Sequence, residues 1–133
     1  RLRRWGFSAV TGNQQADIQS RLDMPTIHMH NLWNFPQTFA TPWVFHKAPS
    51  DIFHPDWEPY VESQLRPVVQ SYTTANLLGI QSDNEISWGL RGNARLQYSL
   101  PIGALNAAPT QPVKVAMLNW LKTKYGNNIT RLN

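Results

Sequence analysis

Residues 76 to 89 read Asn76-Leu77-Leu78-Gly79-Ile80-Gln81-Ser82-Asp83-Asn84-Glu85-Ile86-Ser87-Trp88-Gly89. Asn76 to Ser82 is a continuous apolar run of strand length, the pattern of a strand covered on both faces. It ends abruptly in two acidic residues flanking an amide. Ionisable groups at the end of a buried strand need a reason to be there, and two readings are open on spacing alone. Asp83-Asn84-Glu85 is either a polar turn that caps its own backbone or the working end of a catalytic strand.

Working outward, Gly6 introduces a short β-prone run, Phe7 to Thr11, after the tail of a helix at Arg1 to Trp5. Gln15 to Leu22 carries helix formers for about two turns. Met24 to His30 reads as a second strand, with Pro25 where a missing donor is tolerated. Residues 31 to 54 have no period and gather Trp33, Phe35, Phe39, Trp43, Phe45 and Phe53; an ordered loop of this length is usually functional. From Pro55, apolar positions Trp57, Val61, Leu65, Val68 and Tyr72 recur at helical spacing, and Pro67 is expected to kink or interrupt that helix. After the strand at Asn76 to Ser82, an irregular stretch runs to about Gln111. Pro112 to Tyr125 is the clearest helix, with Val113, Met117, Trp120 and Leu121 on one face and Gly126 as terminator.

Strands alternating with helices imply parallel pairing with right-handed crossovers, an α/β fold. The long loops follow strands and the returns from helix to strand are short, the asymmetry of a (β/α)8 barrel that builds its site at the carboxyl ends of its strands. No glycine-rich phosphate turn follows any strand, which disfavours a doubly wound dinucleotide fold. About three βα units fit into 133 residues, so the chain is expected to be an internal piece, residues 1–133, of one catalytic barrel. Its ends agree with that expectation: it opens on Arg1-Leu2-Arg3-Arg4-Trp5-Gly6 without an initiator methionine or signal peptide, and stops at Asn133 where a helical pattern restarts. The isolated chain is then expected to have exposed strand edges and no turnover.

Composition excludes several classes. Net charge is +4, but much of the positive excess lies near the two ends, without a stripe interleaved with stacking aromatics, so nucleic-acid binding is not expected. No apolar run approaches the roughly 20 residues of a membrane span. Cysteine is absent, so there is neither a disulfide framework nor a thiolate metal site. No Ser-His-Asp order, P-loop or other cofactor motif is present, and no cofactor is expected. His28 and His30 lie two apart on a strand and face one side, a spacing a metal can use. No third ligand is evident, so no metal site is expected and His30 is read as a polar residue of the cleft floor.

A glycosidase needs one carboxyl group that keeps its proton for the leaving oxygen and a second, ionised, that attacks the anomeric carbon or activates water. Glu85 is the candidate donor, because its longer side chain reaches from the strand end, and partial burial beside Trp88 is expected to help it hold the proton. Asn84 offers both a donor and an acceptor to a sugar hydroxyl. Six tryptophans are several times usual usage. Trp33, Trp43 and Trp88 fall in loops after strands, where either a sugar platform or loop packing accounts for them; Trp5, Trp57 and Trp120 lie on helical faces and are expected in the core. Glu58 and Glu62 lie on a helix and are expected to face solvent.

Ser82 to Gly89 (SDNEISWG), preceded by Leu77-Leu78-Gly79, closely resembles the Leu-Ile-Gly-Tyr-Phe-x-Asp-Asn-Glu-Leu-x-Trp-Gly segment of family 50 β-agarases. RLRRWGFSAVTGN at Arg1 to Asn13, Asp51 to Trp57 and NWLKTKYGNNITRLN near the end are similar to further segments of that family, in order, so the resemblance spans nearly the whole chain. A related Asn-Glu strand end occurs in family 42 β-galactosidases. The resemblance implies a partial TIM barrel in which Phe7 to Thr11, Thr26 to His30 and Leu77 to Ser82 are strands two to four. It implies a retaining hydrolase of agarose or another galactose-containing polysaccharide, exported to the periplasm or medium. Glu85 would be the acid/base, Asn84 the contact to a sugar hydroxyl, and Asn13, His30, Trp33, Trp43 and Trp88 further substrate contacts. The nucleophile of the clan is a second Glu after the seventh strand, beyond residue 133. Gln81 and Gln14-Gln15 depart from the family pattern. A family 42-like β-galactosidase and a non-catalytic carbohydrate-binding module are the alternatives.

Overall fold

A computed structural model describes residues 3–11, 24–72 and 76–132. The chain divides into two units, Arg1–Leu32 with Pro59–Asn84, and Trp33–Glu58 with Glu85–Asn133. The helix expected at Gln15 to Leu22 lies outside the described residues, as does Asn13.

The first unit carries a three-stranded parallel sheet in the order β1 (Val10–Thr11), β2 (Thr26–His30), β3 (Leu77–Ser82). Each strand pairs with the next in sequence, the common arrangement of consecutive strands. Val10 pairs with Thr26 and His30 with Ser82, and a register shift between Thr26 and Ile27 leaves Leu78 as the extra residue on β3. Pro25 donates nothing, but its carbonyl accepts the Val10 N–H at 3.0 Å. The ladder claims only two residues of the strand expected over Phe7 to Thr11, and Arg3–Trp5 is a single 3-10 turn ended by Gly6 at φ +87°.

Helix α1 (Trp57–Ser71) begins in the second unit and runs on through the first. Val61, Leu65 and Val68 are half-buried along one stripe, and Glu62 pairs with Arg66 on the solvent side. The helix continues through Pro67 rather than breaking there. The carbonyl deprived of a donor is that of Ser63, an exposed residue, so water can take the place of the missing bond. The reading of β3 as a strand covered on both faces is not met in the described chain: none of its residues is buried, and Leu78 is 60% exposed.

The second unit is built on a long loop and three helices, α2 (Ser99–Asn106), α3 (Pro112–Tyr125) and α4 (Ile129–Leu132). The loop folds back on itself through an antiparallel bridge, Thr38 to Ser50. Phe39, Ala104 and Val113 form its core, with Leu100, Ala107 and Met117 packed against them. Asp51, 1% exposed, ties the loop to α3: one carboxylate oxygen accepts the Phe53 N–H and the other the Val113 N–H. Gly126 closes α3 at φ +62°, and Asn127 donates back to the Lys122 carbonyl at 2.7 Å, as a left-handed helix terminator should.

Helix α2 falls within the stretch read as irregular. Pro101 is only its third residue, where a proline is tolerated, and Gly103 sits where a Cβ would lie 2.5 Å from the Ala40 carbonyl oxygen. Close approach to the loop, not helix propensity, chose that glycine. Trp5 and Trp120 are exposed rather than core, and Lys124 lies over the Trp120 ring at 4.6 Å. Trp57 is half-buried with its ring edge-on to buried Phe35, 5.2 Å between centroids.

Candidate functional site

The turn after β3 separates its two acids. Asp83 continues the sheet: its N–H donates to the His30 carbonyl at 3.0 Å and its carboxylate accepts the Leu32 N–H at 2.5 Å, so it ties the end of β3 to the chain leaving β2. Tyr60 of α1 feels the same carboxylate; burial raises its phenol above the ordinary value, and the negative charge of Asp83 adds to the rise. Asp83 and Glu85 both adopt left-handed backbone, φ +57° and +53°. Such conformations cost about 1–3 kcal/mol each for residues other than glycine and collect at functional sites.

Glu85 belongs to the second unit, and its carboxylate lies 3.2 Å from Nε2 of His46. The residues that hold this contact are two buried serines. Ser87 Oγ accepts the Phe45 N–H at 2.8 Å and donates to the Lys47 carbonyl at 3.4 Å, gripping the backbone on both sides of His46. Ser99, fully buried, accepts the Trp43 N–H and donates to the Trp43 carbonyl. Their hydroxyls replace the ladder that an irregular loop lacks.

The loop held in this way presents a run of rings. Trp43 stacks on Phe45 at 6.0 Å and 19°, Phe45 meets the His46 ring at 4.2 Å, and Trp33 lies tilted against His46 at 5.4 Å. Trp33 and Trp43 are half-buried and Phe45 is exposed. Flat, partly exposed rings beside a carboxylate suit a sugar, whose C–H face stacks on aromatics while its hydroxyls and glycosidic oxygen meet polar groups. The chain thus brings together Glu85, Trp33 and Trp43 with two residues not singled out from sequence, Phe45 and His46.

Trp88 is 64% exposed and engages the second unit through its backbone, its carbonyl accepting the Leu100 N–H. Glu85, with a side chain 61% exposed, is therefore not partly buried beside Trp88; its neighbour is the His46 imidazole. Asn84 and His30 belong to the first unit, Asn84 half-buried in the turn and His30 ending β2. The His30 ring stacks on His28 at 6.0 Å, and His28 Nδ1 lies 2.9 Å from the Tyr72 hydroxyl beyond the end of α1. Burial lowers the His28 pKa below its ordinary value, and the neighbouring His30 lowers it further. Among the described residues no group of three or more side chains could hold a metal, and no helix is long and apolar enough to cross a membrane.

No protein-family profile matches the sequence, and no curated protein matches it. Solved structures do. An exo-β-agarase superposes on 99% of the chain with a TM-score of 0.79 at 24% sequence identity. The agarase AgWH50C superposes on 99% with a TM-score of 0.73, also at 24% identity. The chain spans 18% and 19% of those two polypeptides. Over its whole length, then, this mixed α/β chain has the fold of a segment of the agarases.

Proposed function

We propose that these 133 residues form part of the catalytic barrel of a retaining family 50-like glycoside hydrolase acting on agarose, and that Glu85 is its general acid/base. The observation that carries the proposal is the position of Glu85: three residues beyond β3, with its carboxylate on His46, whose ring meets those of Trp33 and Phe45, and with Trp43 stacked on Phe45. Parallel strands paired in sequence order, with long irregular segments after β2 and β3, suit strands two to four of a (β/α)8 barrel with the site at their carboxyl ends. The likeness to agarase folds supports the same reading.

In this mechanism Glu85 gives its proton to the glycosidic oxygen, which keeps the electron pair of the breaking bond and leaves as an alcohol. A second carboxylate, supplied from outside these residues, bonds to the anomeric carbon. Glu85, now ionised, then takes a proton from the water that attacks the anomeric carbon, the bond to the second carboxylate breaks with its electron pair returning to that carboxylate, and the original configuration is restored. Trp33 and Trp43 stack on sugar rings, and the sequence resemblance alone assigns Asn84, His30, Trp88 and Asn13 further contacts. A polymeric substrate that cannot cross a membrane implies export to the periplasm or medium.

Glu85→Gln in the complete enzyme tests the proposal. Turnover of agarose is expected to fall by about two to four orders of magnitude while agarose is still bound; unchanged turnover contradicts an acid/base role, and the absence of any turnover in the unaltered enzyme leaves a carbohydrate-binding module. Products decide substrate class, because agaro-oligosaccharides support an agarase and free galactose from a simple galactoside supports a β-galactosidase.

A further inference from the structure

Glu85 reaches its site on three rotatable bonds and is mostly exposed. A carboxyl group in that situation samples several rotamers, and only some aim it at a leaving oxygen. His46 is placed to limit that freedom. Its Nε2 lies 3.2 Å from Oε2 of Glu85, and the imidazole itself packs on the rings of Phe45 and Trp33, 4.2 and 5.4 Å between centroids. Ser87, 3% exposed and two residues beyond Glu85, clamps the backbone before and after His46. Lys47, the cation next in the chain, turns to the side-chain carbonyl of Asn34. The segment carrying the acid and the loop carrying the imidazole are thus joined twice, once through backbone and once through side chains.

We propose that His46 is a positioning residue for the acid/base, fixing the carboxyl rotamer of Glu85 and donating a hydrogen bond to the carboxylate that Glu85 becomes as it releases its proton. This rests on the hydrolase reading above. The proton passes from Glu85 to the glycosidic oxygen, and His46 keeps its own throughout. An N–H bond to a carboxylate is about twice as strong as one to a neutral acceptor. The bond therefore strengthens along the reaction, and the gain belongs in kcat rather than in KM.

The test compares His46→Gln, His46→Asn and His46→Phe with Glu85→Gln in the complete enzyme, on agarose and on the dinitrophenyl β-glycoside of an agaro-oligosaccharide, whose leaving group needs no proton. A glutamine amide N–H reaches close to the position of Nε2, an asparagine amide does not, and phenylalanine keeps only the ring. On agarose, kcat is expected to fall about ten- to a hundredfold in His46→Phe and His46→Asn with KM little changed. Glutamine is expected to restore most of it, and kcat/KM on the dinitrophenyl glycoside, which reports the first step alone, should not fall in any variant. Equal losses of kcat/KM on both substrates, or a loss confined to KM or to thermal stability, would assign His46 a structural role and overturn the inference. Full agarose activity in His46→Asn also overturns it. If Glu85→Gln is itself unimpaired on agarose, the hydrolase reading fails with it; if Glu85→Gln is impaired and the His46 variants are not, only the positioning role fails. Should His46→Phe not fold, the Gln and Asn pair decides.

Discussion

Removing the carboxylate of Asp51 should unfasten the start of α3. Pro112, the first residue of that helix, has no N–H, and the N–H groups of Lys114 and Val115 both donate to the Gln111 carbonyl. Gln111 supplies no side-chain cap. Val113 is therefore the first-turn donor that must be satisfied from elsewhere, and Asp51 Oδ2 accepts it at 3.1 Å from 62 residues away. Asp51→Ala leaves a buried N–H without a partner, which costs about 1–3 kcal/mol. It also removes a negative charge from a helix N-terminus, worth roughly a further 0.3–2 kcal/mol. The sum is about 1.3–5 kcal/mol. Amide hydrogen exchange reads it locally: protection of the Ala116 to Trp120 amides should drop about tenfold to several-thousandfold if the helix opens as a unit. Asp51→Asn keeps the shape but turns an N–H2 group toward one of the two donors, and should lose a comparable part. Unchanged protection in both variants would refute the capping argument.

Two further outcomes follow from the packing. Gly103→Ala places a methyl 2.5 Å from the Ala40 carbonyl oxygen and 2.6 Å from Thr41 Cγ2, so it should destabilise the second unit by about 1–3 kcal/mol, seen as a lower thermal midpoint, although alanine is the better helix former. His28 is held below its ordinary value of 6.5, by burial first and then by His30. The unfolded chain therefore binds the proton more readily than the folded one, and stability should fall as pH drops from about 6.5 toward the lower folded value. His30→Asn should narrow that window, checked by the NMR titration of the His28 ring and by unfolding midpoints at pH 7 and pH 5.

Local pattern carried much of the fold. Pro112 to Tyr125, with Gly126 as terminator, emerges at the expected bounds because an apolar stripe, a proline start and a glycine stop agree. Thr26–His30 and Leu77–Ser82 lie within the runs read as strands. Where contact rather than pattern decides, sequence was silent. Helix α2 contains a proline and a glycine, each tolerated for a positional reason that only the packed loop reveals. Asp83 and Glu85 look equivalent in the sequence, yet one is bound to the Leu32 N–H and the other to His46. His46 carried no local signal at all, because its meaning comes from a partner 39 residues away. Ser87 and Ser99 look like ordinary polar residues until their hydroxyls are seen gripping the loop at Phe45 and Trp43.

Azide rescue tests the central claim most directly. In Glu85→Ala of the complete enzyme, the carboxylate that activates water is gone, and the space it leaves admits a small anion to the glycosyl-enzyme on the same face of the sugar. Sodium azide is expected to restore turnover of the dinitrophenyl glycoside and to yield a β-glycosyl azide of retained configuration, identified by NMR. A Glu85→Ala enzyme that keeps its activity on agarose, or one that is slow but forms no glycosyl azide, would contradict the assignment of Glu85 as the acid/base.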